Sequence, residues 1–434
     1  GIPRFFNILF RLVSRPANRF GRLSLDHARR TLPFPPAAAK RNKGRKMNLF
    51  YQLLGEIVFT GASETWSTLN GHDRELMCSY AEKEKLQPLF YRYLHTKLPD
   101  KYRDSFRRQF QTEASFSLRE KHAFENVCNL LKKNNFEFIP IKGVDLAYRI
   151  YPEAALRHHQ DWDILFPRAR CRAAAEFLEQ NGWAPVSGLE DLDPGEHHYD
   201  PLVKGEFCIE PHWNLPSFEE AASDEIWEEI RSAPENRRDF LTPEMNLLLL
   251  SAHASTADFT HLAVSKILLD AGFILNHDRI DWNKVRKLSA KWKILRPDIL
   301  IGAWPEFFPE GILPEQEENV KNAQAVRDMF KQRNRMNAHA YEKVMNQPER
   351  FSSGWLRKRL RIYRNPDSIR RKYHQPTASA IQVAYYIFKD LLCKAGFFFA
   401  SLLRRNPEVV DYYRKVNKVK QIIELAARDE NETI

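Results

Sequence analysis

Between Phe136 and Phe166 the chain reads FEFIPIKGVDLAYRIYPEAALRHHQDWDILF, and this stretch constrains the fold more than any other. Phe136–Ile141 is a short aromatic and β-branched run bounded by Asn134–Asn135 and Lys142–Gly143, the pattern of a buried strand ending in a tight turn. Leu146, Ala147 and Ile150 follow at helical spacing. A second apolar run, Asp161–Phe166, stops at Pro167 and carries Asp161 and Asp163 two residues apart. On a strand such residues share a face, so both carboxylates project together while Trp162 and Ile164 point the other way. Carboxylates held that close repel, and an oxygen-loving divalent cation such as Mg²⁺ relieves the repulsion. An isolated Asp-x-Asp is also what a solvated strand face presents. Here the Lys142–Gly143 turn adds a cation, a residue small enough for close approach to a ligand, and a helix N-terminus aimed at the same edge.

Downstream, Cys171, Ala174, Ala175 and Leu178 recur at helical spacing and Asn181–Gly182 supplies a stop. His197–Val203 and Glu206–Trp213 are extended runs joined at Lys204–Gly205, which predicts a hairpin. In the second run Glu210 and His212 alternate with Ile209, Pro211 and Trp213, so they share a face. If that strand lies beside the Asp-x-Asp strand, Glu210 completes a carboxylate triad. Pro211 cannot donate a ladder hydrogen bond, which predicts an edge strand or a bulge.

The order strand, Lys142–Gly143, helix, Tyr151–Pro152, Arg157, Asp161-x-Asp163 resembles the uncharacterised nucleotidyltransferase family of the polymerase-β-like nucleotidyltransferase superfamily, from about Glu75 to about Trp282. IEPHW, holding Glu210 and His212, is similar to the family's acidic-x-His-Trp segment, and QPLFYRYL at Gln87–Leu94 is a further likeness. The turn departs from the wider superfamily in having Gly143–Val144 where Gly-Ser is usual, and Gly143 lies farther than usual from Asp161, which shifts phosphate handling onto Lys142. The resemblance implies an α+β fold, a small mixed-sheet nucleotidyltransferase core flanked by N- and C-terminal helical domains. It implies transfer of a nucleoside monophosphate from an NTP to an acceptor hydroxyl or phosphate on a small molecule, peptide or nucleic acid. Asp161, Asp163 and Glu210 are then the catalytic and metal-holding residues, for two Mg²⁺ ions or Mn²⁺ in their place. Lys142, Gly143, Arg157, His212, His253 and Asp270 are implied at the nucleotide, with Arg157 either on phosphate or bracing the carboxylates. A lone His on an apolar helix, as His253 is, is also an ordinary core residue.

The rest of the chain frames that core. With 43% hydrophobic and 12% aromatic residues among 434, there is material for two or three packed units. The net charge of +11 suggests a nucleic-acid binder until it is located. Residues 1–46 hold twelve Lys/Arg and one acid, Asp26, which accounts for the whole excess. This proline-broken leader has the composition of a transit peptide or disordered arm, or of upstream sequence or an appended remnant. Five scattered cysteines without a Cys-x-x-Cys pair indicate neither a disulfide framework nor a zinc site, and fit a reducing, cytoplasmic setting.

Residues 47–134 read as a helical domain, with a stripe of Leu118, Phe124, Val127 and Leu131 before the first strand. The core is 135–216, a second helical domain 217–345, and 346–434 a basic segment with closing helices. Thr242–Pro243 opens one helix, and Ile267, Leu268, Ala271, Ile274 and Leu275 stripe another, with Asp270 on its margin. Arg357–Lys372 is crowded with Lys and Arg, either a solvated linker or a weak grip on phosphates or an anionic surface. Ile381–Leu403 is broken by Lys389, Asp390 and Lys394, which argues against membrane insertion. Two further functions compete with nucleotidyl transfer: a catalytically silent interaction protein on the same fold, and a phosphate or anionic-surface binder acting through Arg357–Lys372.

Overall fold

The computed structural model describes residues 38–185, 197–335 and 407–431, with short gaps at 217, 220–221, 236–237, 256–262 and 315–316, together with 382 and 384. The leader up to residue 37, Arg357–Lys372 and nearly all of Ile381–Leu403 lie outside the described residues. Its helices are α1 (Ala38–Thr60), α2 (Glu64–Thr68), α3 (Gly71–Lys83), α4 (Gln87–Leu94), α5 (Asp100–Lys133), α6 (Lys142–Asp145), α7 (Arg168–Gln180), α8 (Ala222–Ser232), α9 (Pro243–Ser255), α10 (Val264–His277), α11 (Trp282–Lys291), α12 (Pro297–Gly302), α13 (Glu317–Arg335) and α14 (Pro407–Asn431). None among the described residues is long and apolar enough to cross a membrane.

Among them lies a five-stranded mixed sheet of β1 (Ile139–Pro140), β2 (Trp162–Leu165), β3 (Ala184–Pro185), β4 (Leu202–Lys204) and β5 (Phe207–His212), in the order β1-β2-β5-β4-β3. The fold is α+β. β2 and β5 run parallel and the other neighbours antiparallel. β1 is shorter than its apolar run, because Pro140 has no N–H to give and Lys142 turns the backbone to φ +54°. One bond continues the ladder past it, from Ile141 N to Asp163 O at 3.0 Å.

The hairpin forms as expected, Lys204 pairing with Phe207 across Gly205–Glu206. Of the two places Pro211 allows, an edge strand or a bulge, the edge is excluded because β5 is central, between β2 and β4, and the bulge is present: the ladder with β4 ends at Leu202–Ile209 and resumes at His198–His212 with the register shifted by one residue. Past β4, residues 197–199 extend the antiparallel side, with Tyr199 N donating to Pro211 O at 2.8 Å. The return bond that proline cannot make is replaced by His198 Nδ1, which donates to Tyr199 O at 2.7 Å.

Alternation along the strands feeds two apolar layers. Trp162, Ile164, Phe166 and Ile209 face Val127 and Leu131 of α5 and the Cys171–Leu178 stripe of α7. Ile139, Ile141 and Leu165 face α8, α9 and α11. A third core joins α1 through the start of α5 with α9, α10, α12, α13 and α14, so helices from both sides of the strands make one body. Within it, α1 meets the backbone of Phe307 at Gly55, where an added Cβ would lie 2.0 Å from Phe307 O.

Because a backbone carbonyl cannot swing aside, Gly55→Ala should cost about 1–3 kcal/mol or more. Gly71→Ala, where the added carbon meets nothing within 4 Å, serves as control. Chemical denaturation of the two variants checks this, and equal midpoints would contradict the packing described.

Candidate active site

β2 and β5 are parallel neighbours in a register that sets Asp163 opposite Glu210 and Leu165 opposite His212. Glu210 and His212 therefore share a face with Asp163, as two-residue alternation requires. Asp163, Glu210 and His212 each offer a ligand atom, all within 4.8 Å of one another. Asp161, just ahead of β2, lines the same cleft, a space of about 820 Å³ between the sheet edge and the helical body. Burial first, then the charges of Asp163 and Glu210, push the Asp161 carboxyl above its ordinary value.

Asp163 is the best compensated of the three. Lys142 Nζ donates to its Oδ1 at 2.7 Å, and His212 Nε2 lies 2.7 Å from the same oxygen. Burial works against the charge, but Lys142 and His212 outweigh it and hold Asp163 well below the carboxylate range. Glu210 Oε2 is 3.5 Å from His212 Nε2. The His212 ring is fully buried and packs against His197 at 5.2 Å between centroids. Burial, then the neighbouring His212, takes His197 down to about 2, so it is a neutral packing partner.

Lys142, whose ammonium reaches Asp163, has its backbone at φ +54°, a strained conformation for a non-glycine residue. Gly143 follows, and its lack of a side chain is used by the protein itself: a Cβ there would lie 2.8 Å from His159 Cβ. After α6 the chain loosens into a π-turn at Leu146–Ile150 and reaches Tyr151 and Arg157. Arg157 lines the cleft. It grips Asp270 of α10 bidentately, Nε to Oδ1 at 2.8 Å and Nη2 to Oδ2 at 2.9 Å, and Tyr151 Oη donates to the same carboxylate at 2.8 Å. The two residues are thus each other's partners on the cleft wall, tying the loop before Asp161 to the helical body. His253 lines the same cleft.

Residues 70–302 match the family described as "Uncharacterised nucleotidyltransferase". The chain belongs to that family. Comparisons with curated proteins and with solved structures returned no match. The matched span runs from Asn70, the N-cap of α3, to Gly302, the last residue of α12. The nucleotidyltransferase unit therefore takes in the sheet, the cleft and the helices that wall it, a longer span than the one the motifs suggested.

Two residues of the site escape a motif search. Glu120, on α5, is 1% exposed and accepts from Trp162 Nε1 at 2.8 Å and Tyr148 Oη at 2.6 Å, with His159 Nε2 2.9 Å away. It anchors both the residue between the two aspartates and the loop before them. It also corrects the stripe on α5, because Leu118 is 74% exposed and the face turned inward is Glu120, Phe124, Val127 and Leu131. The second is Lys266, on α10 one turn before Asp270 and lining the cleft. Burial, then the Arg157 charge, lowers its ammonium to about 8. The signal for it was a polar pair four apart on an otherwise apolar helix face.

Burial pushes the Glu120 carboxyl up, but His159, Tyr148 and Trp162 outweigh it and hold it below its ordinary value. A carboxylate depressed in the folded state adds stability that is full above its unfolded value of about 4.3 and is lost as pH falls through the folded one. Glu120→Gln should therefore cost on the order of 3 kcal/mol at neutral pH, and less in acid, where the wild-type carboxylate is itself protonated. Urea unfolding at the two pH values measures this. An equal penalty at both would show that the native charge on Glu120 does not matter.

Proposed function

We propose that the protein transfers a nucleoside monophosphate from an NTP to an acceptor, with the carboxylates of Asp161, Asp163 and Glu210 holding divalent cations. The observation that carries this reading is the pairing of Asp163 with Glu210 across parallel strands, at the edge of a cleft that Asp161 also lines. Such a set suits a hard cation: oxygen donors crowd one edge, and their mutual repulsion is already felt by Asp161. Mg²⁺ bound there would neutralise charge developing on the α-phosphate and the departing pyrophosphate and lower the pKa of the acceptor oxygen.

The chain's own groups do the rest. Lys142 and His212 fix the rotamer of Asp163 by their bonds to Oδ1. The Arg157–Asp270 pair and Glu120 hold the loop and strand that carry Asp161, so the carboxylates are placed before substrate arrives. The acceptor oxygen attacks the α-phosphorus, the bond to the bridging oxygen of the β-phosphate breaks, pyrophosphate leaves, and the acceptor's proton passes to solvent. Nucleotidyl transfer and the family's name agree. A catalytically silent binding protein is favoured only by the ammonium of Lys142 resting on Asp163, which leaves that carboxylate partly neutralised.

Pyrophosphate release from each NTP, in Mg²⁺ and with pools of small molecules, peptides and RNA as acceptors, separates the two. Asp161→Asn and Asp163→Asn should abolish turnover, as should chelation of the metal. Glu210→Gln should slow transfer roughly a hundred-fold or more with a smaller loss of NTP affinity, and His212→Ala should lose less. Full turnover by either aspartate variant would end the assignment, and NTP binding without pyrophosphate release from any pool would favour the silent protein.

A further inference from the structure

Five Lys or Arg side chains line the cleft, and two are already engaged. Lys142 is paired with Asp163, and Arg157 is bidentate on Asp270. Both of the cations that the sequence motifs assign to phosphate are thus neutralised by the protein's own carboxylates. The other three, Lys83, Lys85 and Lys266, have no carboxylate within 4.0 Å among the described residues.

These three are held on one wall by a built connection. Lys83 ends α3, and Lys85 follows in the turn with φ +58°, both exposed and both lining the cleft. Glu84, between them, accepts from Ser265 Oγ at 2.8 Å, which pins the turn to the first turn of α10 beside Lys266. Lys266 itself is largely withdrawn from solvent, and burial, then the Arg157 charge, lowers its ammonium pKa. Asp270, one turn along the same helix and already bound to Arg157, and then Asp161 and Asp163 act on it electrostatically.

We propose that Lys266, with Lys83 and Lys85 at the rim, is the subsite for the terminal phosphates of the nucleotide, in place of Lys142. This rests on the nucleotidyl-transfer reading for the identity of the ligand, but the anion subsite is a separate claim. A polyphosphate tail would lie along the cleft, its α-phosphate at the carboxylates with their cations and its far end at the lysines.

The test is equilibrium binding, to the full chain in Mg²⁺, of unhydrolysable NTPs of each base, the matching monophosphates and inorganic tripolyphosphate. Lys266→Met should weaken NTP and tripolyphosphate about tenfold or more while leaving the monophosphate within about twofold, and Lys266→Arg should restore most of the loss. Lys83→Ala combined with Lys85→Asn, the latter compatible with the positive φ, changes only exposed residues and should lose several-fold in the same direction. Unchanged tripolyphosphate binding in Lys266→Met, an equal loss of monophosphate, or a wild-type chain that binds no tripolyphosphate would each overturn the subsite. Tripolyphosphate binding that depends on Lys266, in a protein that releases no pyrophosphate from any NTP, would uphold the subsite and sink the transfer reading.

Discussion

Three carboxylates brought to one edge of a parallel strand pair make the electrostatic problem that the surrounding structure answers. Asp163 and Glu210 face each other in register, and Asp161 stands two residues back on the same face. Unit charges at such separations repel by several kcal/mol in a partly buried setting. The chain answers unevenly: Asp163 is compensated by Lys142 and His212, whereas Asp161 keeps a raised carboxyl pKa. An arrangement with part of its charge uncompensated suits binding a cation better than it suits stability alone.

Holding that arrangement still takes two buried polar clamps. Glu120 reaches from α5 to Trp162 Nε1, fixing the residue between the aspartates, and Arg157 with Tyr151 fastens the preceding loop to Asp270. Buried ion pairs add little net stability by themselves, because desolvation offsets the attraction. Their value here is geometric, since they set where β2 lies against the helical body and so where the cleft opens. Lys142 in its left-handed conformation and the π-turn that follows α6 add local strain around the same site.

The parts legible in the sequence were those set by local period. Asp161 and Asp163 share a face by two-residue alternation, Glu210 and His212 likewise, and the Cys171–Leu178 stripe is buried as its spacing required. The tertiary pairing of β5 with β2 was conditional until the register was seen. What failed did so for identifiable reasons. Pro211 pointed to an edge or a bulge; the edge failed, because a one-residue bulge in the partner segment and a donor from His198 make a central position tolerable. Leu118 is apolar yet faces solvent, while Glu120, at the position the period demands, is buried although it carries a charge. The pairing of Arg157 with Asp270 is a different case, an addition to their place on the cleft and not a failure of it, and the two stand too far apart in sequence for anything local to announce it.

Whether these carboxylates form a divalent-cation site is tested most directly by a Mn²⁺ titration followed by electron paramagnetic resonance. The wild-type chain should bind Mn²⁺ in competition with Mg²⁺, and Asp163→Asn and Glu210→Gln should each weaken it about tenfold or more. Glu206→Gln, on the same hairpin but paired with Arg119 on the surface, should leave it unchanged. If wild type and Asp163→Asn titrate alike, the cation is held elsewhere and the strand-pair carboxylates are not its ligands.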